Sequence, residues 1–214
     1  MRLVVLVSGR GSNLRSIAQA IDEGRCAATL AAVVSDKADA PALEFARERG
    51  IPTDVVPFRK GDDRAAWNER LADTMASHSP ELVVLAGFMR ILGPNVIDRF
   101  AGRIVNVHPA LLPSFPGHDG PAQAVRAGVR LSGCTVHLVD HGVDTGPILA
   151  QGAVPVLPTD DAASLHARIQ TVEHVLFPRV IDWIARGLLA LEPPRIVAPV
   201  QEAFVPLVAP SFEA

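Results

Sequence analysis

The chain has 214 residues, 49% of them apolar and 20% charged, with a net charge of −3. At ~150 residues per domain this is one domain with ample material for a core, which excludes a disordered chain. Its eighteen arginines and two lysines are scattered and form no basic stripe, so no nucleic-acid partner is expected.

No apolar run approaches the ~18 residues of a membrane span, and the opening run Met1–Val7 is too short for a signal-peptide core. A soluble, cytoplasmic protein is expected. Cys26 and Cys134 lie far apart, form no CxxC pair and read as reduced thiols.

In chain order, Leu3–Val7, Leu30–Val34, Leu82–Ala86 and Arg103–Val107 predict buried parallel strands, with a short strand at Thr53–Val56. Ser12–Glu23, Pro41–Arg49 and Asp62–His78 between them fit helices. Strand and helix in alternation predict an α/β fold with a doubly wound, mostly parallel sheet. Beyond Pro109 the pattern changes. Leu111–His118, with Pro113 and Pro116, reads as a loop. Thr135–Asp140 and Ile148–Pro155, joined by a glycine-containing turn, predict an antiparallel hairpin at the sheet edge. Asp161–Arg186 predicts a long helix, with an N-cap from Thr159-Asp160-Asp161 and Gly187 placed to stop it. Residues 191–214 hold five prolines and read as an extended tail on a single domain of residues 1–190.

Two motifs carry chemistry. Val7-Ser8-Gly9-Arg10-Gly11-Ser12-Asn13 leaves the first strand and opens the first helix. Glycines permit a tight turn, and free N–H groups at a helix start attract anions. The dinucleotide fingerprint would need a third glycine where Leu14 stands, although Asp36 resembles its ribose-binding acid. The phosphate of a smaller ligand fits better, and a purely structural turn stays open.

Ile104-Val105-Asn106-Val107-His108-Pro109 ends a strand, and residues i and i+2 share a face. Asn106 and His108 therefore project together at the carboxyl end of a parallel strand, where open α/β sheets bind ligands. Asp144 follows in the glycine-punctuated stretch His141–Gly146. An amide, an imidazole and a carboxylate suit acyl transfer. The amide holds an oxyanion, the imidazolium donates a proton, and the carboxylate favours the charged ring. With no serine or cysteine nucleophile beside them, direct attack by the acceptor is expected over an acyl-enzyme. On spacing alone a satisfied structural pair remains an alternative. His137, alternating with Thr135 and Val139, reads as packed or supporting. His78, His166 and His174 read as surface or satisfied residues. There is no HExxH or cysteine cluster, so no metal is expected.

Four segments together resemble the phosphoribosylglycinamide formyltransferases of purine synthesis, within the folate-dependent formyltransferase family. They are Gly9–Asn13, Leu85–Leu92, Asn106–Pro113 and Asp140–Gly146, in the family's order, and the similarity runs to about residue 185. The resemblance implies a Rossmann-like sheet with antiparallel strands added in the C-terminal half. It implies 10-formyltetrahydrofolate as co-substrate, glycinamide ribonucleotide as acceptor, and a monomer or homodimer. It assigns catalysis to Asn106, His108 and Asp144. Gly11, Ser12, Asn13, Gln170 and Glu173 match the phosphoribosylglycinamide site. Arg64, Met89, Arg90, Ile91, Leu92, Asn106, Asp140, His141, Gly142, Val143 and Asp144 match the folate site. A cis peptide is expected at Leu112-Pro113.

The resemblance carries other readings with it. Transfer RNA formyltransferases usually have a further C-terminal domain, and formyl-folate hydrolases an extra N-terminal one; neither is expected here. Leu14 and the Asn106/His108 pair oppose a nicotinamide-dependent oxidoreductase. A non-catalytic nucleotide-binding module would bind the phosphoribosyl ligand without transferring a formyl group.

Overall fold

A computed structural model describes residues 1–191 and 194–196. A seven-stranded sheet has the order β3-β2-β1-β4-β5-β6-β7. Five strands are parallel: β1 (Arg2–Val7), β2 (Thr29–Ser35), β3 (Thr53–Val55), β4 (Leu82–Leu85) and β5 (Ile104–His108). β6 (Leu131–Leu138) and β7 (Ile148–Pro155) add antiparallel to β5 and close the order at that edge, as the sequence predicts.

Strand parity sorts the core into two layers. Leu3, Val5 and Val7 of β1 pack on one face, with Leu14 and Ile17 of α1 (Ser12–Asp22), Leu43 of α2 (Pro41–Glu48) and Phe177 of α6 (Ala162–Ala185). Val4 and Leu6 pack on the other, with Trp67, Leu71 and Met75 of α3 (Arg64–Ser77) and Val96 of α4 (Pro94–Arg99). Burial on both faces is why these parallel strands read as continuous apolar runs. The same parity sends Val105 and Val107 into the first layer and Ile104 into the second, leaving Asn106 and His108 on the second side. On β6, Cys134, Val136 and Leu138 join the first layer, so Thr135 and His137 share the side of Asn106 and His108.

Helix boundaries follow local chemistry. The Asp63 side chain caps α3 by accepting from the Ala65 and Ala66 N–H groups. Asp161 and Ser164 form a capping box on α6, and Gly187, in the left-handed region, follows its end.

Some elements depart from the sequence reading. β6 begins four residues before Thr135, because Gly133 serves close strand approach instead of a break: a β-carbon there would lie 1.9 Å from the Gly152 carbonyl oxygen. The short helices α4 and α5 (Gly120–Ala127) are too brief for a clear helical period, though each has a proline in its first two positions, Pro94 and Pro121. The expected tail starts as a strand. β9 (Pro194–Ile196) pairs antiparallel with β8 (Leu189–Leu191), and residues 197–214 lie outside the described set. Cys26 and Cys134 are buried and free; burial pushes their thiols up to about 11 and about 12. No described helix is long and apolar enough to cross a membrane.

Candidate active site

Strand order reverses direction across β1 and β4, so their carboxyl ends open a crevice at the switch point. The β1–α1 turn lies on one side of it. Gly11 adopts φ 71°, and a β-carbon there would lie 2.6 Å from Ala42 Cβ. Only glycine meets both demands, which leaves the first N–H groups of α1 clear of side chain. Gly11→Ala is expected to cost at least ~1–2 kcal/mol of stability, from the left-handed backbone alone. A chemical denaturation curve superimposable on that of the parent would refute this.

Asn13 and Glu173 join this turn to α6. Asn13 Nδ2 donates to Glu173 Oε2 at 2.9 Å, and Asn13 Oδ1 has no partner among the described residues. Burial pushes the Glu173 carboxyl above its ordinary value, opposed by the Asn13 amide. Gln170 lies three residues before Glu173 on the same helix and is half-buried.

The structure brings Asn106, His108 and Asp144 together. His108 Nδ1 lies 3.3 Å from Asp144 Oδ2, and His108 Nε2 lies 2.9 Å from the Phe115 carbonyl oxygen. Both ring nitrogens thus face oxygen acceptors, an arrangement that the imidazolium satisfies with two N–H donors. Asp144 has φ 55°, and its Oδ2 accepts from the Gly117 N–H at 2.8 Å. Burial acts to raise the Asp144 carboxyl. The contact with His137, the Gly117 N–H and the charges of His108 and His137 outweigh it and hold the group below its ordinary value.

His137 completes the cluster. It stands opposite Asn106 in the β5–β6 register, and its Nε2 lies 3.2 Å from Asn106 Nδ2 and 3.6 Å from Asp144 Oδ1. Its Nδ1 faces the Leu138 carbonyl at 2.8 Å, and the contact at Nε2 orients the Asn106 amide, whose second N–H has no partner among the described residues. His137 is buried, as the packed reading from strand alternation expects, but that reading missed the direct contact with Asn106. It also missed the loop groups of Phe115 and Gly117. Thr135 braces the loop: its hydroxyl donates to the Ala110 carbonyl and accepts from the Leu112 N–H and Gln151 Nε2. The Leu112-Pro113 peptide is cis. A bulky residue with φ 57°, Phe115, marks a conformation imposed by its surroundings.

Most of the expected folate residues lie in two segments, one following β4, the strand paired with β5, and one that contains Asp144. Met89–Leu92 leaves β4, with Met89 and Ile91 exposed, and Arg64 Nη2 donates to the Ile91 carbonyl. Asp140–Asp144 forms the turn after β6. Asp140 Oδ1 accepts from the Gly142 N–H and the Thr145 hydroxyl, Val143 is exposed, and His141 pairs with Asp98 of α4.

Two sequence readings need correction. Asp36 is not offered to a ribose: its side chain is fully buried and paired with Arg90. His174 is neither a surface nor a satisfied residue, since its Nε2 is buried without a partner among the described residues. His78, by contrast, is paired with Asp54 at 2.6 Å. Among the described residues no group of three or more His, Cys, Asp or Glu side chains is placed to hold a metal ion.

Comparison with known proteins agrees with this fold. Residues 1–181 match the formyl transferase family. The chain is 43% identical over 191 residues to a phosphoribosylglycinamide formyltransferase of Escherichia coli, covering 89% of this chain and 90% of that one. It is 49% identical over 184 residues to the protein of that name in Mycobacterium tuberculosis, covering 86% and 85%. Glycinamide ribonucleotide transformylase 1 from Symbiobacterium toebii superposes with a TM-score of 0.89 at 42% identity, over 92% of this chain and 94% of that one. A formyltetrahydrofolate deformylase from Pseudomonas syringae superposes at 0.82 with 26% identity, but this chain spans 62% of it. The chain is thus an enzyme of the formyl transferase family, in its phosphoribosylglycinamide formyltransferase branch.

Proposed function

We propose that this protein transfers the formyl group of 10-formyltetrahydrofolate to the primary amine of 5-phosphoribosylglycinamide, yielding formylglycinamide ribonucleotide and tetrahydrofolate in cytoplasmic de novo purine (IMP) synthesis. The observation that carries this reading is the joint approach of Asn106, His108 and Asp144, with His108 Nδ1 3.3 Å from Asp144 Oδ2, beside the two segments expected to hold folate.

The amine nitrogen attacks the formyl carbon, and the carbonyl oxygen becomes an oxyanion. The free Asn106 N–H and an N–H of His108 stabilise it. The formyl oxygen takes the position of the Phe115 carbonyl at His108 Nε2, so the 111–119 loop yields as substrate enters. The new C–N bond forms, the bond from carbon to folate N10 breaks, the amine loses a proton and N10 gains one. Asp144 holds the charge of His108 in place and accepts a proton directly or through water. The α1 N-terminus receives the phosphate, and Gln170 and Glu173 meet the ribosyl glycinamide. This remote binding holds the amine in line.

The test is to mix purified protein with 10-formyltetrahydrofolate and candidate amines and to follow deformylation of the folate. Turnover that depends on phosphoribosylglycinamide is the expected result. Equal deformylation without an amine points to the hydrolase reading instead. Absence of turnover with either overturns the proposal.

A further inference from the structure

Asp36 has no part in the proposed reaction, yet its chemistry is unusual for the position. Its side chain is 0% exposed, Oδ2 accepts from Arg90 Nε at 2.7 Å, and Oδ1 has no partner among the described residues. Buried ion pairs are poor stabilisers, since apolar replacements of similar volume are often neutral or better. A half-satisfied carboxylate is poorer still. Fold stability therefore does not account for an acid here.

What the pair does is orient Arg90. Residues 89–93 are held by side chains from several elements. Ser8 Oγ accepts from the Met89 N–H at 2.8 Å, Asp36 holds the Arg90 guanidinium, Arg64 donates to the Ile91 carbonyl, and Asn68 Oδ1 accepts from the Gly93 N–H at 3.0 Å. Of these ties, the one at Arg90 is between full charges. The guanidinium carbons of Arg90 and Arg64 both approach the Phe58 ring, at 5.3 and 5.1 Å from its centroid, and Trp67 packs against it at 5.1 Å. Met89 and Ile91, on either side of Arg90, remain exposed.

We infer that Asp36 is a positioning residue for the formyl donor: by pinning Arg90 it fixes the main chain of residues 89–92 in the shape that receives the folate. The inference rests on the proposed function and names a determinant of donor affinity within it.

The test uses the full chain and its Asp36→Asn, Arg90→Ala and doubly substituted variants. Tetrahydrofolate binding is measured by anaerobic calorimetry, and kcat and both KM values by steady-state kinetics. Asp36→Asn is expected to raise the tetrahydrofolate Kd and the donor KM about 10-fold, the scale of one charged hydrogen bond. The phosphoribosylglycinamide KM and kcat change less than about twofold. Arg90→Ala is expected to give the same donor-selective rise. In the Arg90→Ala background, Asp36→Asn adds less than about twofold, because the two residues act through one contact. A rise shared equally by both substrates, an undiminished Asp36 effect in the absence of the Arg90 side chain, or an Arg90→Ala variant with parental donor affinity each overturns the inference. Failure of the parent to bind tetrahydrofolate would overturn the proposed function itself, so the two failures are distinct.

Discussion

His108→Ala is expected to lower kcat by about 10²–10⁴-fold, the range for loss of a positioned proton donor. The residue is 5% exposed, with one ring nitrogen facing Asp144 and the other a loop carbonyl. Alanine removes the donor to the formyl oxygen and leaves Asp144 without one of its two imidazole partners. Substrate binding should suffer less than turnover, because the turn proposed to receive the phosphate and the 89–92 segment lie on other elements. The mark of this role is a fall in kcat far larger than any rise in either KM, in a variant that keeps a cooperative thermal transition. A folded His108→Ala protein within tenfold of parental kcat would exclude the ring from the chemistry.

Asp144→Asn is expected to lower kcat by about 10²–10³-fold with little change in fold. The amide keeps the shape but loses the charge that faces His108 and His137 at 3.3 and 3.6 Å. The pH dependence supplies a second readout. The carboxyl is held below its ordinary value, so it is ionised at neutral pH, and its native contacts favour the charged form. Its contribution to stability is then fully present above the ordinary carboxylate range and is lost as pH falls through the lowered value. Asp144→Asn should remove that component, so its unfolding midpoint falls less steeply with acid than the parent's. Thermal unfolding from pH 7 downward checks this, and identical slopes in the two proteins would show that the contacts of Asp144 do not favour its charge.

The doubly wound sheet was legible because its parallel strands are buried on both sides and read as apolar runs. The pairing of Asn106 with His108 was legible because strand periodicity is two. His137 was legible only in part: alternation put it on a face, but which face of which neighbour it met depended on the β5–β6 register. Phe115 and Gly117 gave no signal, since they act through backbone groups that any residue carries. Asp36 misled because an acid after the second strand is equally compatible with a ribose and with an arginine from elsewhere in the chain.

By itself, then, the amino-acid order determined the layers of the molecule, the glycine turn that opens α1 and the shared face of Asn106 and His108. These depend on local periodicity and local backbone demands, which neighbours in sequence express. The tertiary structure decided how closely Asp144, in the turn between β6 and β7, approaches His108 at the end of β5, that a loop carbonyl faces the same ring, and that Asp36 pairs with Arg90. Those contacts join residues 7 to 54 positions apart, and a pairing across such a distance is set by register and packing, which no local pattern encodes.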